Sequence, residues 1–225
     1  MKHISHLATL LWKDLLIELK SRETIISMFL FSVIVILIFN FAFEGDTKTI
    51  TKLSPGLMWT TFLFFGVLGL NRSFTLEKEN NSLQGTLLAP VDRSVIYLSK
   101  FISNLIFVLI VELVSLPLFA IFLNVNLFAH FNNLWPILLL GTIGFISVGT
   151  LFGAISVNTK MREVMLPLLL FPISTPAFIA SAKCTSAILR DRPLETYSNW
   201  LGILILFDVV FFVTSFLIFE FVVEE

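Results

Sequence analysis

Six long apolar stretches dominate the chain, at residues 24–43, 53–70, 101–123, 134–157, 164–182 and 201–223. Each has the ~17–25 residues that cross ~30 Å of hydrocarbon at 1.5 Å per residue. The runs are continuous, as in Ile25-Ile26-Ser27-Met28-Phe29-Leu30-Phe31. They lack the strict alternation of a membrane β-barrel strand. The pattern predicts an all-α integral membrane protein with six transmembrane helices. The spans use so much of the chain that residues 1–225 are expected to form one transmembrane domain.

The segment before the first span reads differently. Over residues 1–23, Ile4, Ala8, Leu11, Trp12, Leu15, Leu16 and Leu19 share one helical face, with Lys13, Asp14 and Lys20 opposite. An amphipathic helix lying in the membrane interface is expected, and Trp12 suits that depth. The segment is mixed in charge and lacks a small-residue cleavage pattern, so it does not read as a secretory signal.

The segment between the second and third spans, residues 71–100, carries the other amphipathic element. Leu76, Leu83, Leu87 and Leu88 recur at roughly helical spacing, which predicts a short helix over 75–89. Pro90 restricts Ala89 and marks its end. Asp92 stands where it can cap the next helix, starting at Arg93. Such an element suits a groove on a partner or a bed of lipid headgroups.

Composition agrees with the spans. Charged residues make up 14% of the chain, against ~25% in soluble domains. Mean hydropathy is +0.93, and 25 residues are Phe. A net charge of −1 argues against a nucleic-acid partner. With the N-terminus inside, the inner segments carry Lys2, Lys13, Lys20, Arg22, Arg72, Lys78, Arg93, Lys100, Lys160 and Arg162. The outer ones carry Lys48, Lys52, Lys183, Arg190 and Arg192. That two-to-one bias predicts both termini in the cytoplasm.

Enzyme chemistry is not written here. The chain has no Gly-Lys dipeptide and hence no phosphate loop, no H-E-x-x-H and no G-x-S-x-G. Cys184 stands alone, so no disulfide or thiol pair forms within the chain. Polar residues inside spans are costly and invite a role: Asn104 and Glu112 in the third, Asp208 in the sixth. Each is also compatible with a hydrogen-bonded place inside the bundle. Gly149 and Gly153 form a G-x-x-x-G that permits close helix packing, within the bundle or across a dimer. Pro167, Pro172 and Pro176 predict a kinked or broken fifth span.

Several of these segments resemble one family. Gly66-Val67-Leu68-Gly69-Leu70-Asn71-Arg72-Ser73-Phe74, Glu77-Lys78-Glu79, Leu87-Leu88-Ala89-Pro90-Val91-Asp92-Arg93-Ser94 and Ile96-Tyr97-Leu98-Ser99-Lys100 resemble the haem exporter protein B family (CcmB). So do Lys13-Asp14-Leu15 and the stretch from Arg162-Glu163-Val164 to Pro172. The resemblance covers nearly the whole chain. More loosely, E-x-E … L-L-A-P resembles the inner loop of ABC-2 type permeases.

The resemblance implies a six-helix ABC transporter permease of cytochrome c biogenesis in the bacterial inner membrane, not itself an enzyme. ATP would be bound and hydrolysed by a separate CcmA-like subunit. A haem-handling CcmC-like protein, a small CcmD-like protein and a second copy of this chain would complete the assembly. The inner loop would be the coupling helix, with Glu77, Glu79, Leu83, Leu87, Leu88, Pro90, Asp92 and Arg93 as its ATPase-coupling residues. No cofactor is expected to be resident; haem is a possible substrate. ATP would drive either haem export or release of the haem-loaded chaperone. The alternative is a permease of the same architecture exporting a polysaccharide, lipid or drug. His130 in the loop after the third span is a candidate iron ligand or an ordinary loop histidine. Arg190-Asp191-Arg192 in the last outer loop would meet an acidic partner, propionates or water.

Overall fold

Hydrocarbon offers no partner for a peptide N–H or C=O, so an apolar chain that enters it must close its hydrogen bonds within each segment. The computed structural model shows that outcome. It describes residues 2–20, 22–42, 47–79, 82–156, 159 and 161–224. Within its helices the side chains at 2–5, 18–20, 22, 47–48, 79, 83–84, 87, 162–163 and 223–224 lie outside the description. Eight α-helices follow one another among the described residues: α1 (Lys2–Lys20), α2 (Arg22–Ala42), α3 (Thr47–Glu79), α4 (Ser82–Leu87), α5 (Arg93–Phe122), α6 (Phe131–Ser156), α7 (Arg162–Ile188) and α8 (Ser198–Glu224). A 3-10 turn, Leu194–Thr196, precedes α8. No strand occurs among the described residues. Six of the helices, α2, α3, α5, α6, α7 and α8, are long and apolar enough to cross a membrane.

Helix α6 is the axis of the bundle. It packs against α3, α5, α7 and α8, and its small residues let those neighbours in. Along α3 and α6 the fit is reciprocal. Gly66 of α3 faces Phe145 of α6, with only 2.5 Å between the ring and the place of a Cβ. Gly149 of α6 lies against Leu70, and Gly153 against Phe74. Positions 66, 70 and 74 thus run alongside 145, 149 and 153, so the two helices are parallel, as the second and fourth spans must be. The G-x-x-x-G is used inside the chain, where glycine supplies the hole and the facing side chain the knob.

The outside of the bundle is apolar. On α2, Ile26, Leu30, Ile34 and Ile38 form an exposed stripe, while Met28, Ser32 and Ile36 are buried. On α8, Leu206, Val210, Val213 and Leu217 are exposed. Surface of this extent would aggregate in water and is at home against lipid tails.

Three expectations need correction. The helix of the inner loop does not cover 75–89: α3 runs on through Glu79, α4 covers Ser82–Leu87, and residues 88–89 are not helical. The packing of Leu70 and Phe74 against α6 carries the span helix past the point where apolarity ends. Asp92 occupies the N-cap position, but its side chain makes no capping hydrogen bond; Val95 and Ile96 donate to its backbone carbonyl instead. Finally, of the kinked and broken alternatives for the fifth span the broken one falls, because α7 is one helix through Pro167, Pro172 and Pro176. Its neighbours α3, α6 and α8 hold it as one element despite the missing donors.

Candidate functional site

Four charged residues at one end of the bundle converge. Lys100 lies on α5, eight residues in, at the start of a long apolar run. No carboxylate lies one turn away on its own helix, so a partner must come from elsewhere in the chain. It comes twice. Lys100 Nζ donates to Glu77 Oε1 in the last turn of α3, and lies 3.7 Å from Asp14 Oδ1 of α1. All three groups are buried, Lys100 being 3% exposed. Ser99 Oγ donates to Asp14 Oδ2 at 2.9 Å. Lys13 Nζ sits 3.0 Å from Asp14 Oδ1 and donates to Thr86 Oγ1 of α4 at 3.3 Å.

Two cations and two carboxylates therefore join α1, α3, α4 and α5 at one point. Their charges sum to zero, which is the condition for keeping ions away from water. The pairing also decides how α1 lies. Trp12 and Leu16 are exposed on one side. The opposite side, expected to carry plain surface charge, buries Asp14 against α5.

The expected coupling residues separate into groups. Glu77 faces inward to Lys100 rather than outward. Leu88 is 89% exposed just beyond α4. Pro90 and Asp92 are exposed beside it, and Arg93 is partly buried. The side chains of Glu79, Leu83 and Leu87 lie outside the described residues. The α4 end closes in a tight turn, with Ala89 N–H donating to Thr86 O at 3.2 Å. Ser82 Oγ donates to Glu77 O at 3.3 Å, tying α4 back to the end of α3.

Deeper in the bundle the polar groups gather around α6. Glu112 of α5 meets Thr142 of α6, whose Oγ1 lies 2.9 and 3.0 Å from the two carboxyl oxygens and 2.8 Å from Leu138 O. Asp208 of α8 is buried against Gly144 of α6. Neither of its oxygens has a hydrogen-bond partner among the described residues. Asn104 is buried one turn beyond Lys100. Tyr97 Oη donates to Ser147 O at 3.2 Å, and Trp59 Nε1 to Thr185 Oγ1 at 3.0 Å. A polar seam thus surrounds the central helix from the charged node upward.

Glu77, Glu112, Asp208 and Asn104 stand out in the sequence, whereas Lys100 and Asp14 carry no site role there. A lysine heading an apolar run, with no acid in helical reach, was the available signal. His130 lies 3.6 Å from Asp191 Oδ1 in the opposite end of the bundle.

Comparison with known proteins matches the sequence to one family. A family model described as CcmB protein matches residues 5–222. "Heme exporter protein B" of Pseudomonas aeruginosa is 28% identical over 172 residues, covering 76% of this chain and 77% of that one. The protein of the same name from Rhodobacter capsulatus is 29% identical, over 68% of this chain and 70% of its own. That from Haemophilus influenzae is 24% identical over 85% of each.

Proposed function

This chain belongs to the CcmB protein family, and from that membership we propose that it is the permease subunit of an ABC transporter for cytochrome c biogenesis. The observation that carries the reading is the match over residues 5–222, together with relatives named for haem export across most of their length. The chain lies in the bacterial inner membrane with both termini in the cytoplasm. It hydrolyses no nucleotide itself; a CcmA-like ATPase does so, beside a CcmC-like haem-handling protein, a CcmD-like small protein and a second copy of this chain.

In this reading Leu88 and the turn through Pro90 and Asp92 meet the ATPase. A push there reaches α4, and from α4 it reaches Lys13 through Thr86. Asp14, Lys100 and Glu77 pass it to α1, α5 and α3 together. The node supports this role because ionic contacts make two discrete arrangements cheaper than gradual deformation. The work done drives haem across or frees the haem-loaded chaperone.

Purification in mild detergent, with mass spectrometry of the companions, tests the assignment. A soluble ATPase together with a haem-binding membrane protein is expected. An ATPase alone points to the same architecture with a polysaccharide, lipid or drug as cargo. An intact preparation holding neither contradicts the reading.

A further inference from the structure

The end of the bundle opposite the charged node carries a cleft of a different character. It lies between the last turns of α7, the loop through Arg192 and Thr196, and the first turn of α8, with a volume of about 220 Å³. Lys183, Arg190 and Arg192 line it, with Tyr197 and Trp200 as its aromatic wall, and among the described residues no carboxylate lines it. Of the acids in the loop, Asp191 is turned elsewhere by the backbone. Asp191 adopts a left-handed φ of 52°, a conformation Asp tolerates better than most residues. Its carboxylate then reaches His130 at 3.6 Å, while Arg190 and Arg192 on either side line the cleft. Lys183 Nζ is held 6.0 Å from the Trp200 ring centroid, within cation–π range.

The surroundings say what kind of anion fits. One turn deeper than Lys183, Ile179 is exposed; one turn deeper than Trp200, so is Ile203. A polar head in the cleft would leave its apolar body lying along these side chains. The cleft is smaller than the ~300–1,000 Å³ that encloses a drug-sized ligand. It therefore takes the charged edge of a molecule and leaves the rest outside.

We propose that this cleft binds the anionic head of an amphiphile and that, on the haem reading above, the head is the propionate edge of haem. Arg190 and Arg192 pair with the carboxylates, Lys183 adds a third cation, and Trp200 and Tyr197 meet the ring edge. An anionic lipid offers the same chemistry from a second source.

The test uses the full chain in discs of phosphatidylcholine, titrated with haemin and with haemin dimethyl ester, and read by tryptophan quenching and the haem absorption band. The variant combines Lys183→Ala, Arg190→Ala and Arg192→Ala; Arg190→Lys with Arg192→Lys is the conservative control. Haemin affinity is expected to fall roughly tenfold or more in the triple variant, from the loss of charge-assisted hydrogen bonds. The lysine control should keep most of it, and the ester should bind wild type and variant alike. Equal haemin binding by wild type and triple variant overturns the proposal. So does the same loss with the ester, because the carboxylates would then play no part. Discs containing phosphatidylglycerol form the last arm. If that lipid abolishes the haemin difference, the cleft belongs to lipid and the haem assignment is overturned; a persisting difference supports it. Failure of the underlying reading looks different: removal of the chain would leave c-type cytochromes unchanged whatever the cleft binds.

Discussion

A lysine ammonium withdrawn from water survives only beside carboxylates, and Lys100 has two, Glu77 and Asp14. Breaking such a set is worse than removing it. Lys100→Met leaves the buried Glu77 carboxylate without its cation and is expected to cost about 3–5 kcal/mol. Thermal unfolding in detergent should show the loss. The double change Glu77→Gln, Lys100→Met removes one charge of each sign, leaves the Lys13–Asp14 pair in place and should recover most of that stability. It should still couple poorly, because α1, α3 and α5 no longer move as one. Recovery of stability without recovery of transport separates a transmitting node from a structural one. None of these pairings is local: Ser99 and Asp14 are 85 residues apart, and Lys100 and Glu77 are 23 apart. Periodicity along one helix carries no trace of an ion pair between two. That is why Glu77 was legible as a residue of interest, and its inward orientation was not.

At the scale of elements, continuous apolarity announces a span in any window of the chain, so all six spans were legible. Their ends were not, because packing sets them. Leu70 and Phe74 seat on Gly149 and Gly153, and that contact prolongs α3 into a segment whose own pattern suggested a new helix. The same ladder gives a sharp expectation. Gly153→Leu drives a side chain into the Phe74 ring and should cost about 1–3 kcal/mol through overpacking, seen as a lower unfolding temperature. Gly85→Ala, where a Cβ meets nothing within 4 Å among the described residues, should not lower that temperature, since alanine favours the helix. For the inner loop, Leu88 is 89% exposed, so Leu88→Asp should leave the fold intact. It should weaken copurification of the ATPase roughly tenfold by placing a charge in an apolar contact. A variant that retains the ATPase fully would move the docking surface away from this turn.

The whole molecule is organised around one central helix with distinct chemistry at its two ends. One end gathers Lys13, Asp14, Glu77 and Lys100 into a charge-balanced knot, buried except for Lys13, beside an exposed turn. The other presents an open cationic cleft beside apolar surface. Between them, Glu112 and Asp208 approach α6 from different neighbours. An energy source at one end and an amphiphilic cargo at the other suit that polarity. The sequence carried the family resemblance in its inner loop, where the motif residues are contiguous. The two ends themselves assemble only when distant helices meet. The central claim is that this chain serves cytochrome c biogenesis. The direct measurement is deletion of its gene in the organism that encodes it, followed by haem staining of c-type cytochromes and spectroscopy of b-type ones. Loss of the c-type proteins with the b-type retained, restored by the wild-type gene, is the predicted result. Unchanged c-type cytochromes in the deletion strain would contradict it.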